Sequence, residues 1–207
     1  MAAARRIPSW LFAVTLIASL ATVIGPLAHF GVNETGWQFA TRYTVRVSFP
    51  LFLLTYLASP LVILWRSEAS RWLMKNRRYL GLSFAIAHTT HLAALTSLFI
   101  FIGEIPDVTA MLGGGLAYAL MFAMAATSND HGVKLLGANW NRLHKVGLHF
   151  LWFIFLFTYL GRVSDRAADD PSGSFLVAGI VGSSLLFTSF LLRLLATWKR
   201  QQRRAPA

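Results

Sequence analysis

Six histidines stand in a chain of 207 residues that has no cysteine, and four of the six lie in or at the edge of strongly apolar runs. His88 and His91 interrupt "YLGLSFAIAHTTHLAALTSLFIFIG", which carries no charged residue over 79–103. On a helix the two would be about 60° apart in azimuth and about 4.5 Å apart in rise, so they share a face. His144 and His149 occur in "NWNRLHKVGLHFLWFIF", the second about one and a half turns beyond the first. Ionisable groups inside a membrane span are costly, so each marks a function or a specific partner.

Two helices that each offer an imidazole to a bundle interior are what axially ligated haem requires, because the iron takes one ligand from each face of the porphyrin. A hydrolytic zinc site is disfavoured: "HTTH" lacks both the glutamate and the i, i+4 histidine spacing of H-E-x-x-H. Without cysteine there are no thiolate ligands, disulfides or iron–sulfur centres. The plainer alternative is that the histidines hydrogen-bond across helices to a hydroxyl or a carbonyl. Phe150, Trp152, Phe153, Phe155 and Phe157 would suit the faces of a macrocycle and would equally suit lipid. His29, at the end of the first apolar run, and His131, in the polar "TSNDHG", read as solvated.

The elements that must carry these residues follow from composition. Hydrophobic residues make up 56% and charged residues 13% of the chain, where a soluble domain has about 25% charged. Six apolar runs of roughly the 20 residues a spanning helix needs are predicted at 10–30, 44–65, 79–103, 108–127, 143–161 and 174–198. The expected fold is all-α: an integral membrane six-helix bundle, one transmembrane domain over 1–207. Fifteen of the 19 basic residues fall at the N-terminus, after spans two and four, or at the C-terminus. The positive-inside rule then places both termini in the cytoplasm. The net charge of +11 is spread over four membrane-flanking segments instead of one stripe, which argues against nucleic acid as a partner. The apolar run in "RRIPSWLFAVTLIASLATVIG" is long for a signal peptide and reads as a retained span. The connections at 66–78 and 128–142 are too short to fold alone, and no G-x-G-x-x-G follows a strand pattern. Any flavin or nicotinamide must therefore belong to another protein.

Two stretches carry a resemblance. "RRYLGLSFAIAHTTHL" resembles the third-span signature of the ferric-reductase-like transmembrane family, an Arg-x-Leu-Gly-Leu opening followed by a deep His. "LLGANWNRLHK" resembles the start of that family's fifth span, Leu-Gly-x-x-Trp-x-x-Leu-His-Arg/Lys. The nearest form is the haem-binding membrane subunit of a methionine-sulfoxide reductase system. The resemblance implies a multi-pass protein of the cell inner membrane that binds b-type haem and carries single electrons across or along the bilayer. It implies an electron-transfer subunit, not a self-contained enzyme, with an external flavin or quinol donor. The acceptor is periplasmic in the resembled system and is not named by this sequence. Carried over by position, His91 and His144 become the haem ligands. The family's deeper fifth-span His is here Phe157, which implies one haem per chain.

Depth gives a different emphasis on the fifth span. Counted from Arg78, His88 lies about 15 Å and His91 about 20 Å into the membrane, while His149 lies about 6 Å below Lys145 and His144 at the surface. Opposed ligands of one iron share a depth, so this arithmetic favours His149 and the resemblance favours His144. A fifth span starting near 135, or a protruding 77–82 segment, would reconcile them. His91, His144, His149 and His88 are thus the candidate haem-binding and iron-ligating residues. Thr89, Thr90, Thr96 or the pair Ser184 and Thr188 are expected to receive the second imidazole N–H. Gly113, Gly114 and Gly115 would allow a close helix approach or equally form a flexible helix entry near the outer interface. The rival function is a cofactor-free polytopic protein, a small transporter or assembly subunit, whose histidines relay protons or bond helices together.

Overall fold

The ends of the helices are set by side chains and glycines that take over the terminal peptide groups. The computed structural model describes residues 8–164 and 174–203. Among them are seven helices and no strand: α1 (Ser9–Phe30), α2 (Glu34–Leu64), α3 (Glu68–Ile102), α4 (Val108–Ala126), α5 (Asp130–Leu136), α6 (Ala138–Ser164) and α7 (Ser174–Gln202). All but α5 are long and apolar enough to cross a membrane. The chain is a multi-pass helical membrane protein. Arg5, Arg6, Arg166 and Arg204, which are among the 19 basic residues of the expected topology, lie outside the described residues.

Between α1 and α2, Gly31 takes a φ of +86°, and Asn33 donates to the Phe30 carbonyl (2.6 Å) while accepting from the Gly36 amide (2.9 Å). Before α3, Ser67 and Ser70 exchange backbone-to-side-chain bonds of 3.0 and 3.1 Å, a serine version of the capping box. This cap starts α3 at Glu68, so the predicted 66–78 connection is mostly helix. The 128–142 connection is also helical. Asn129 accepts from the Gly132 amide to start α5, and Gly137, at φ +51°, ends it before α6 begins at Ala138. The fifth apolar helix thus begins five residues earlier than its hydropathy suggests.

The chain divides into two compact units, Met1–Thr55 with Lys75–Val108 and Tyr56–Met74 with Thr109–Ala207. In the first, Phe52 and Phe84 meet with ring centroids 5.5 Å apart, amid fully buried Ser48 and Ser83. Large apolar side chains such as Ile17 (67% exposed) and Ile100 (76%) point outward. Apolar outside and small polar inside is the pattern of helices solvated by lipid. Hydroxyls within the helices mostly return to their own carbonyls, as Thr55 does to Leu51 (2.8 Å).

In the second unit, α6 and α7 approach through glycines. A methyl group built on Gly182 would collide with the Tyr159 ring, and one on Gly179 would come within 2.8 Å of Val163. Gly147 of α6 lies equally tight against Met124 of α4. Of the two readings of the glycine triplet, the close helix approach is the one the structure does not support. A methyl on Gly113 would only reach ordinary contact with Ile154, and Gly114 and Gly115 have nothing within 4 Å. Gly182→Val is therefore expected to destabilise the protein by about 1–3 kcal/mol through overpacking, whereas Gly114→Val should be nearly neutral. Thermal unfolding of the two variants in detergent checks this; equal midpoints would refute the packing assignment.

Candidate functional site

The imidazoles of α3 are held from α2. Phe84, His88 and His91 form a stack with successive ring centroids 5.1 and 5.2 Å apart, each step tilted by 26°. His88 is buried and His91 half-buried. The Thr44 hydroxyl lies 3.0 Å from His91 Nδ1, and the Ser48 hydroxyl 3.1 Å from His88 Nδ1. One turn of α2 thus matches the i, i+3 pair of α3 rung for rung.

The hydroxyls also assign the tautomer. Thr44 Oγ1 lies 2.9 Å from the Ala40 carbonyl and 3.0 Å from that of Thr41, and Ser48 Oγ 3.3 Å from that of Val45. A hydroxyl has one proton and two lone pairs. With its proton directed to its own helix, each hydroxyl would accept from an imidazole Nδ1–H, the tautomer that carries its lone pair on Nε2. A metal-binding histidine is ordinarily oriented this way.

These partners were not among the expected ones. Thr89 and Thr90 instead bond back to Ala85 (2.7 Å) and Ile86 (3.3 Å). Thr96, Ser184 and Thr188 are exposed. The signal that could have found the true pair is the Thr44 to Ser48 spacing, one helical turn at the start of the second apolar span.

In the second unit, His144 is six residues inside α6, about 9 Å along its axis, and stacks on Trp140 at 4.0 Å with a 27° tilt. Trp140 is itself fixed by a bond from its Nε1 to the Thr127 carbonyl (2.9 Å) at the end of α4. His149 donates from Nδ1 to the Lys145 carbonyl at 2.7 Å and sets its edge against Tyr56, 5.8 Å between centroids. It also lines a cavity of about 400 Å³. His29 and His131 are exposed. The aromatic run divides by face: Phe155 is buried, while Phe153 and Phe157 are 53% and 66% exposed. Trp152 bonds the Leu186 carbonyl (3.1 Å). No cluster of three or more histidine or carboxylate groups suited to a metal ion occurs among the described residues.

Comparison with known proteins finds the protein-methionine-sulfoxide reductase heme-binding subunit MsrQ of Salmonella enteritidis PT4 and of Salmonella newport. Each is 26% identical to this chain over 145 residues, covering 61% of the chain and 69% of the relative. The chain is a distant relative of MsrQ. That relationship agrees with the likeness carried by the His91 and His144 stretches. No family profile matches the chain, and no solved structure matches it.

Proposed function

We propose that the protein is a membrane b-type haem protein and an electron-transfer subunit of an oxidoreductase system. The observation that carries this reading is the pair of imidazoles on α3 whose Nδ1 atoms lie 3.0 and 3.1 Å from the hydroxyls of Thr44 and Ser48. Such residues fit haem, because ligation needs an imidazole whose ring plane and tautomer are fixed by a bond at Nδ1. The named haem-binding of the MsrQ relatives supports the same reading. Bound haem would supply one-electron redox chemistry, and the chain's part is to hold, orient and exclude water.

The proposed ligands are His91 on α3 and His144 on α6. Two features of the helices support His144 over His149. α6 starts at Ala138, so His144 is no longer at a helix end. α3 has 35 residues, about 52 Å against a hydrocarbon core of about 30 Å, so its charged first part extends beyond the apolar layer. Where Arg78 stands beyond the apolar layer with that part, a depth counted from it overstates how deep His91 lies. His88 is the oriented neighbour. Phe157, at the position of the family's deeper ligand, faces outward, which supports a single haem. The donor is an external flavin or quinol, the protein sits in the inner membrane with both termini cytoplasmic, and the acceptor is unspecified.

Protein purified in detergent from haem-replete cells is expected to be red, with a reducible low-spin spectrum and one haem per chain by pyridine haemochromogen titration. A colourless, iron-free preparation would leave the α3 imidazoles as interhelical hydrogen-bond donors in a cofactor-free protein. A reproducible ratio near two would refute the single-haem assignment.

A further inference from the structure

The cavity lined by His149 has a composition that the proposed haem site does not use. Three cations, Lys145, Arg193 and Arg200, line it, and no acid is among the described lining residues. Arg193 is held rigidly, its Nη1 donating to the Tyr56 carbonyl at 2.9 Å and its guanidinium lying 4.4 Å over the Tyr56 ring. A guanidinium has five donors, so others remain for a ligand. Three positive charges with no facing carboxylate select an anion.

The position of the cavity narrows the anion's source. It lies at the end of α7 where Lys199 reaches the carbonyl of Leu64, the last residue of α2 (3.2 Å). Trp65 and Trp198 flank that end and are 56% and 59% exposed. Exposed tryptophans beside basic residues mark the headgroup level of a bilayer. Phe190 and Leu194 supply an apolar wall. Leu194 is itself 52% exposed and continues into the outward-facing Leu191 and Leu195. A ligand with a phosphate at one end and acyl chains at the other meets both surfaces at once.

We propose that this cavity binds the phosphodiester headgroup of an anionic phospholipid, with Lys145, Arg193 and Arg200 around the phosphate and the acyl chains along Leu191, Leu194 and Leu195. Basic pockets among spanning helices are suited to such headgroups.

The test uses the full chain in neutral detergent, with bound lipid counted by native mass spectrometry. Phosphatidylglycerol is expected to bind at least roughly tenfold more tightly than phosphatidylcholine, and Arg200→Gln to weaken it about fivefold, the share of one basic residue near a lipid surface. Arg200 is exposed at the helix end, so this variant keeps its fold. Arg193→Gln/Arg200→Gln should lose more, and the single variant carries the test if the double one misfolds. Equal binding of both lipids would overturn the proposal, as would an unchanged preference in Arg200→Gln. Displacement of phosphatidylglycerol by millimolar inorganic phosphate would assign the site to a soluble phosphate compound instead. Loss of haem from Arg200→Gln would assign the cations to the cofactor's carboxylates and equally overturn it.

Discussion

His91→Ala is expected to abolish the low-spin haem spectrum while leaving a protein that still inserts into the membrane. The two halves of this outcome have separate causes. Insertion depends on the apolar length of α3, whose best stretch contains no more than two charges and has a mean hydropathy of 1.6; alanine at one position does not lower it. Haem binding depends on an Nε2 lone pair presented in a fixed direction, which no residue beside His91 can replace. His88 is held by Ser48 on a different rung, so it cannot swing into the vacated place without losing its own bond. His88→Ala should therefore shift the spectrum without removing it. Thr44→Val should weaken haem retention about 10- to 100-fold, the usual cost of losing the group that orients a ligating histidine. Thr44→Ser, which restores the hydroxyl, should recover most of it. Absorption spectra of the membrane fractions, normalised to protein, decide each case. An unchanged low-spin band in His91→Ala would remove this residue from the ligand set.

What could be read in the sequence, and what could not, follows from the range of the forces involved. The six spans were legible because burial in lipid is decided by the sum over about 20 residues, and such a sum survives local exceptions such as Pro26, Pro50 or His88. The helical extensions beyond the apolar runs were not read, since hydropathy is blind to a polar helix. Their starts depend on single side chains, Asn33 before α2, the Ser67 and Ser70 pair before α3, and Asn129 before α5. Those caps are visible in hindsight as Asn or Ser ahead of an acidic residue. The histidine pair was conspicuous because imidazoles are rare in spans. Its partners were not, because serine and threonine are common there and their pairing depends on how two helices are matched. The same reason hid Gly147, Gly179 and Gly182, which touch neighbours, behind the more visible triplet at 113 to 115, which barely does.

The sharpest separation between the two histidines of α6 is expected from paired substitutions: His144→Ala should lose the low-spin signal, and His149→Ala should keep it. The two side chains differ by about 140° around the helix axis, so one cannot deputise for the other. His144 rests flat on Trp140, and that indole is anchored to the end of α4. The stack fixes the plane of the imidazole, which an axial ligand requires, and six residues of α6 precede it. His149 belongs to other surroundings, with its Nδ1 proton on the Lys145 carbonyl and its ring among the cations of the basic cavity. Alanine there should leave the haem spectrum intact. The reverse pattern, with the signal lost in His149→Ala and kept in His144→Ala, would show that the ligand has moved along α6 by five residues. It would also turn the basic cavity into the place where the cofactor's carboxylates are held. Both assignments of this unit, the ligand and the lipid phosphate, are therefore exposed to the same pair of spectra.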